Sequence, residues 1–509
     1  MYKVSSLTVT VLGIFLSHQI SASDNRALSI HAGAAERNIS PPAGLDILHP
    51  FRKNIGINDP LFVRTLVLED AFQTSVAIIT ADIICAGFAA CDELRHRIKT
   101  KAKVDEVWFN CSHSHSSRWL SSTQINAQDW TEELAWDEFR SRPISESHDE
   151  DKWNSMVHEA ALSIVIEAKQ KSIPVTLRAG RAPVQIGFNR RVTSKNGRTH
   201  MGVNKNGLVV PWVNILMAEA RDNGPEIKKG DPLAILFEHP AHPVTVPNIS
   251  NLVSADFPGA AIARIREKLG KTVVALYGQG CNGNINSFPL RSSHADADAA
   301  GKKLGDAVLE AIRQSDQIIA KTIELRNKRI WLPTRALPSM EIVSKLKLEA
   351  KGHPERLKQL EKIAKCIAQG KKAPPRRFDV YGIILDNEWS LIGMSYETFA
   401  QYELWIAKNA PFKRTMVFSL TNGGRAYIGT DDALMMGPNG GYEVGCLPNW
   451  DGHETMSPYF GPPAVGSEKL IHEAFRSLWQ KHGAKTSKEL NHEEIADLLR
   501  KHGGKTGEE

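Results

Sequence analysis

Short apolar runs of strand length alternate with longer runs of helical period through most of this 509-residue chain, and that alternation constrains its fold more than any other feature. Leu66-Val-Leu68, Ser75-Val-Ala-Ile-Ile-Thr80, Glu106-Val-Trp-Phe109, Thr272-Val-Val-Ala-Leu-Tyr277 and Val380-Tyr-Gly-Ile-Ile-Leu385 are rich in β-branched and aromatic residues and read as strands. Helical stretches fall at 91–101, 151–171, 257–269 and 295–315, the last with Ala and Leu at helical spacing. Strands interleaved with helices predict an α/β layered sandwich. The length fits one large domain with insertions or two domains.

Several of these strands end in polar turns that carry metal-ligand residue types. In Val107-Trp-Phe-Asn-Cys-Ser-His-Ser-His-Ser-Ser117 an apolar run meets His113 and His115, spaced i, i+2. On an extended strand that spacing puts both imidazoles on one face. In Ile235-Leu-Phe-Glu-His-Pro-Ala-His-Pro-Val-Thr245 the prolines rule out a regular helix around His239 and His242. A following proline also biases each histidine toward extended geometry. In Leu391-Ile-Gly-Met-Ser-Tyr-Glu-Thr-Phe399, Glu397 stands at the tip of the turn. Two imidazoles and a carboxylate from separate strand ends make a common catalytic zinc set, with one position open for water or substrate. A hydrogen-bonded core histidine is the plainer reading of any one of these blocks; their shared context points to one site.

These blocks, in this order, resemble those of the neutral/alkaline non-lysosomal ceramidases, zinc amidases that release fatty acid from N-acylsphingosine. The resemblance runs from about Ala32 to about Tyr459. It includes Ala32-Gly-Ala-Ala-Glu-Arg-Asn-Ile-Ser-Pro-Pro42, Ser112-His-Ser-His-Ser116 and Gly187-Phe-Asn-Arg190. It continues through Ala241-His-Pro-Val-Thr245 with Asn251-Leu-Val-Ser-Ala-Asp256, then Gly278-Gln-Gly-Cys-Asn-Gly-Asn-Ile-Asn286, Tyr396-Glu397 and Gly441-Tyr-Glu443. The resemblance implies a mixed sheet with helices packed outside. It also implies a Zn2+ ion held by His113, His242, Glu397 and, more distantly, Tyr442. By the same resemblance His115 faces substrate as a proton shuttle or oxyanion partner, and Arg190 is a fixed cation near the substrate's polar end. From the residues alone, Tyr442 reads equally as a buried tyrosine with a satisfied hydroxyl, and Arg190 as a surface ion pair.

The sequence departs from the ceramidase pattern at two places. Asn286 stands where the family has its catalytic serine, and Ser287 follows one residue later, turned another way unless the loop bulges. Ser117-Arg-Trp119 replaces the usual Gly-Pro-Gly. With Asn286 there, attack on an amide or ester falls to a zinc-activated water, with Asn286 as a hydrogen-bond partner. The implied activity is hydrolysis of an N-acyl amide such as a ceramide-like lipid. A different amide, ester or glycan derivative is the alternative, and a non-catalytic ligand-binding protein the third reading.

The remaining features bound partners and compartment. Residues 1–23 have a basic start, the apolar run Leu7-Thr-Val-Thr-Val-Leu-Gly-Ile-Phe-Leu16 and a small-residue exit, the form of a cleaved signal peptide. That form predicts a secreted or periplasmic protein, with a hydrolase domain over 24–464 and a helical tail over 465–509. A net charge of +6 is small for this length and argues against nucleic acid as a partner. Basic residues concentrate instead in 337–377, read as a helical insertion near the site entrance. It is either a solvated helix pair or a cationic surface that meets a membrane. Six cysteines are too few for a disulfide scaffold, although Cys85 and Cys91 are close enough in sequence to pair. Cys111 and Cys281 read as small buried residues rather than nucleophiles.

Overall fold

The strand Glu106–Cys111 has every residue buried, and so do Ser75–Ala81 and Val274–Gln279. Strands covered on both faces lose the in/out alternation and read as continuous apolar runs. The computed structural model describes residues 29–47, 52–131, 142–445 and 461–480, together with 134, 137, 138 and 140. Residues 1–23, Cys446 and the tail beyond 480 lie outside the described residues.

The protein is α/β. Its main sheet has nine strands, eight of which run in the order Val274–Gln279, Pro232–His239, Trp212–Ala220, Ile173–Pro183, His31–Asn38, Phe62–Glu69, Ser75–Ala81, Glu106–Cys111. Pairing is parallel between Ser75–Ala81 and Glu106–Cys111 and between Pro232–His239 and Val274–Gln279, and antiparallel along the rest of this path. The two ends of the order meet: Asn110 Oδ1 accepts from the Gln279 backbone N–H at 2.9 Å. A second, four-stranded sheet is built from Ile323–Leu332, Arg376–Leu385, Trp389–Met394 and Arg414–Phe418.

The period-two alternation then divides the strands' side chains between cores. Leu66, Ile78, Trp108, Leu236 and Leu276 share one core with Tyr381, Ile383, Leu391 and Phe418 of the second sheet. Each fully buried aliphatic side chain of this kind contributes roughly 1.5–3 kcal/mol. Ile79, Val107 and Phe109 face the other way, onto the helices Phe88–Ala102 and Asp149–Gln170. Ile235, Phe237, Ala275 and Tyr277 face the helices Asp256–Leu269 and His294–Arg313. The outer side of the second sheet, Val380, Ile384 and Ile392, is covered by Ala400–Asn409 and Ser467–Trp479. The helices thus lie outside, as the resemblance implied. No described helix is long and apolar enough to cross a membrane.

The basic segment forms the helices Met340–Glu349 and Pro354–Ala368, which share a small core of Val343, Leu360 and Ile363. The chain leading into this hairpin is held where the Arg335 guanidinium donates to the backbone oxygens of Val444 and Leu434. Cys85, Cys91, Cys111, Cys281 and Cys366 are free and buried, so Cys85 and Cys91 form no disulfide. Burial pushes the thiols of Cys111 and Cys281 well above their usual range, in keeping with a packing role.

Candidate metal centre

His113, His242 and Glu397 each follow the carboxyl end of a different strand, two from the main sheet and one from the second. The strand Glu106–Cys111 stops two residues before His113, whose φ is +68°. The two histidines of the first block therefore come together through a left-handed kink, and not through the i, i+2 geometry of an extended strand. Tyr396, just before Glu397, also has a φ of +68°. Non-glycine residues in this region cost free energy and cluster at functional sites. His239 takes no part: it is buried, and its Nδ1 lies 2.8 Å from the Trp212 carbonyl oxygen.

The imidazoles converge. His113 Nε2 lies 3.1 Å from Glu397 Oε2, and His242 Nε2 lies 2.8 Å from the same oxygen. His115 Nε2 is 3.4 Å from His113 Nε2. On their far sides His113 Nδ1 meets the Ile84 carbonyl oxygen at 2.5 Å, and His242 Nδ1 meets those of Asn282 and Ile285 at 2.7 and 3.0 Å. A carbonyl only accepts, so each Nδ1 carries the proton and donates it. In the neutral imidazoles the Nε2 lone pairs then point at an acceptor-only carboxylate. Three electron pairs facing one another make a place that a cation would fill.

Proton or metal can fill that role, and burial disfavours the proton. Burial and the nearby Arg190 charge push His242 down to about 4. Burial also opposes ionisation of Glu397, and it is positive charge on the His113 and His242 side that holds its carboxyl well below the usual carboxylate range. A metal fits the donor chemistry. Bonds of 2.0–2.1 Å in a tetrahedron separate ligand atoms by roughly 3.3 Å, close to the 3.1 and 2.8 Å that separate Glu397 Oε2 from the two imidazoles. His113, His115 and His242 by themselves form a group whose ligand atoms lie within 4.8 Å of one another. Nδ1–H donation to backbone carbonyls is the usual way a protein orients metal-bound histidine.

The loop from Gly278 to Ser287 locks the second histidine in place. The His242 N–H donates to Ile285 O at 3.0 Å, and the Ser287 N–H donates back to His242 O at 3.2 Å. Gly283 lies so close to the Glu397 strand that an added Cβ would meet the Glu397 carbonyl oxygen at 2.7 Å. Under this loop Glu238 and Glu403 are both buried, and their carboxyls hydrogen-bond each other. Glu403 also accepts from the Cys281 N–H at 3.0 Å, and Glu238 from the Asn214 amide at 2.8 Å. Burial pushes the Glu403 carboxyl up to about 7 and that of Glu238 well above its usual range.

Asn286 and Ser287 are neighbours in the strand Ile285–Ser287 and so face opposite ways. Asn286 Oδ1 accepts from Arg190 Nη1 at 3.0 Å and lines a cavity of about 20 Å³ beside the imidazoles. Ser287 Oγ accepts from the Thr245 hydroxyl at 2.8 Å, away from that cavity. Arg190 is fixed by Glu443 Oε1 at 2.8 Å and by the Gly283 carbonyl at 2.8 Å, with Nη1 3.4 Å from His242 Nε2. Burial opposes its charge, but Tyr427 and Glu443 hold it ionised.

Tyr442 also lines the cavity, with its ring 5.4 Å from that of Tyr427 and the Arg190 guanidinium 5.5 Å above it. Tyr427, Glu443 and Arg291 are site residues that sequence reasoning missed. Tyr427 sits in a two-residue strand after the Gly423-Gly424 pair, too short for a periodic signal, and Glu443 is masked by the neighbouring Tyr442. Arg118, where the ceramidase pattern has Gly-Pro-Gly, is buried and pairs with Glu150 at 3.0 Å, a packing role.

The sequence matches no family model and no curated protein. Two solved structures are similar over 90% of this chain. One is the neutral ceramidase from Pseudomonas aeruginosa, with a TM-score of 0.64, 14% identity and 76% of that chain covered. The other is a ceramidase complexed with C2, with a TM-score of 0.63, 14% identity and 77% covered. At that identity the likeness establishes the fold: this chain is folded like a neutral ceramidase.

Proposed function

We propose that this protein is a zinc-dependent hydrolase of linear amides, with His113, His242 and Glu397 holding the ion. The observation that carries the reading is the convergence of the Nε2 atoms of two backbone-anchored imidazoles on one carboxylate oxygen, at 3.1 and 2.8 Å. The ceramidase fold supports the choice of amide bond. When bound, the ion supplies Lewis acidity and lowers the pKa of an attacking water toward neutrality.

The chain's own residues do the rest. His115 stands beside the ligand cluster and lines the cavity, where its Nε2 takes the proton from water and returns it to the leaving amine. Arg190 and Asn286 together hold the carbonyl oxygen as it gains negative charge. Their mutual 3.0 Å hydrogen bond keeps that pair preorganised before substrate arrives. Tyr442 borders the same space and serves as an outer ligand or a hydrogen-bond donor. Ser287 has no part in bond breaking.

A ceramide-like N-acyl lipid is the parent substrate class, and an exported location follows from the form of residues 1–23. The basic hairpin whose lead-in is tied down near Tyr442 is the surface that meets anionic lipid. The deciding experiment combines metal analysis with turnover of N-acyl amides, esters and glycosides. About one zinc per chain and hydrolysis confined to amides is the expected result. A metal-free protein, or turnover of glycosides alone, would sink the reading.

A further inference from the structure

One guanidinium in the cavity wall has no use in this chemistry. Arg291 lines the same cavity as His115, Arg190 and Asn286. It is half-buried, and its Nε is shielded from solvent with no hydrogen-bond partner among the described residues. The titratable groups that act on it are the Tyr442 and Tyr427 hydroxyls and Arg190, of like sign. Glu443, the carboxylate beside Arg190, is engaged by Arg190 at 2.8 Å and Arg191 at 2.7 Å. Arg190 and Arg291 thus place two guanidinium groups in the wall of one cavity, and Glu443 is paired away from Arg291. Shielding an N–H of a cation from water without giving it a partner is costly, and folds keep that arrangement where a ligand completes it.

The backbone holds Arg291 in position. Its φ is +52°, in the left-handed region. Its N–H donates to Val244 O at 2.8 Å, and the next N–H, of Ser292, donates to Thr245 O at 2.8 Å. The Arg291 backbone is thereby fixed to the turn that carries His242. Met201, Val244 and Leu290 give the cavity an apolar side, and Leu290 and Phe288 are exposed.

We propose that Arg291 is the receptor for an oxyanion on the substrate, so that the amide this site cleaves pairs an apolar acyl chain with a carboxylate, sulfonate or phosphate on its amine half. A planar guanidinium matches such a group with two parallel hydrogen bonds. The inference rests on the amide-hydrolase reading and changes its substrate from a neutral ceramide-like lipid to an anionic N-acyl amide.

The test compares kcat/KM of the metal-loaded enzyme on N-octanoylglycine, N-octanoyltaurine, N-octanoylphosphoethanolamine and the neutral N-octanoylethanolamine. At least one anionic amide should exceed the neutral one tenfold or more, and the best of the three identifies the oxyanion. Arg291→Gln should cut that anionic-to-neutral ratio at least tenfold, mainly through KM, while Arg291→Lys retains part of it. A readout free of turnover is calorimetric binding of octane-1-sulfonate, whose Kd should rise tenfold or more in Arg291→Gln. A wild-type enzyme with no preference for any anionic amide overturns the proposal, as does an Arg291→Gln variant that leaves the ratio unchanged. If no amide is cleaved yet octane-1-sulfonate binds through Arg291, the hydrolase reading fails and the anion site stands. Should Arg291→Gln not fold, the wild-type comparison still decides.

Discussion

At the scale of single residues, the site separates into side chains that hold and side chains that act. His115 has the position of an actor: it borders the cavity, whereas His113 and His242 are anchored to carbonyls behind them. His115→Ala should keep its metal and lose about a hundredfold or more in turnover, the usual scale for a general acid–base group. Metal analysis of the variant checks this, since loss of the ion would make His115 a ligand instead. Ser287→Ala should keep turnover within about twofold, because its hydroxyl bonds to Thr245 and the strand's two-residue period points it away from the cavity. An inactive variant with normal metal content would restore a serine-assisted mechanism. That Asn286 and Ser287 face opposite ways was legible from spacing alone. The kink at His113 was not, because a φ of +68° at histidine leaves no compositional mark. Arg291 was equally invisible, because its place in the cavity wall comes from contacts distant in sequence.

At the scale of elements, strands and helices were legible wherever one periodicity dominated. The helix His294–Arg313 matches the reading of 295–315 within two residues, and the strand Arg376–Leu385 contains the run read as 380–385. The second sheet was not separable from the first, because strands buried on both faces look alike whichever sheet they join. Nor could the sequence show that the helix Ala400–Asn409 sends Glu403 beneath the loop of Asn282, Asn284 and Asn286. That contact carries a pH prediction. The folded chain raises the pKa of Glu403 from its ordinary 4.5 to about 7. A group with a raised folded pKa contributes stability that is fully present below its unfolded pKa and is lost as pH rises through the folded value. Ionising this pair near and above pH 7 therefore weakens the seat of the loop. Glu403→Gln mimics the protonated acid, so thermal denaturation should show a higher Tm than wild type at pH 9 and little difference at pH 5. Equal Tm changes at both pH values would remove the shared proton from the account.

At the scale of the whole molecule, the site is a joint. His113 and His242 follow strands of the main sheet, Glu397 follows a strand of the second and itself pairs with Tyr427, and Asn110 to Gln279 is where the main sheet's ends meet. This topology could not be read from the chain, since pairing partners far apart in sequence are not encoded in local patterns. The strand-end histidines nevertheless marked which edge the strands would bring together. A cation bound between the Nε2 atoms and Glu397 would link the elements that carry them, and a ligand bound only by the folded state stabilises it by mass action, by about 4 kcal/mol at a thousandfold excess over Kd. Removing the metal with a chelator should therefore lower Tm clearly, and readdition of zinc should restore it. His242→Ala removes one of the two anchored imidazoles, so it should fold, lose the ion and show no Tm response to chelator or zinc. A His242→Ala protein that retained full zinc occupancy and the same Tm response would place the ion elsewhere and take His242 out of the site.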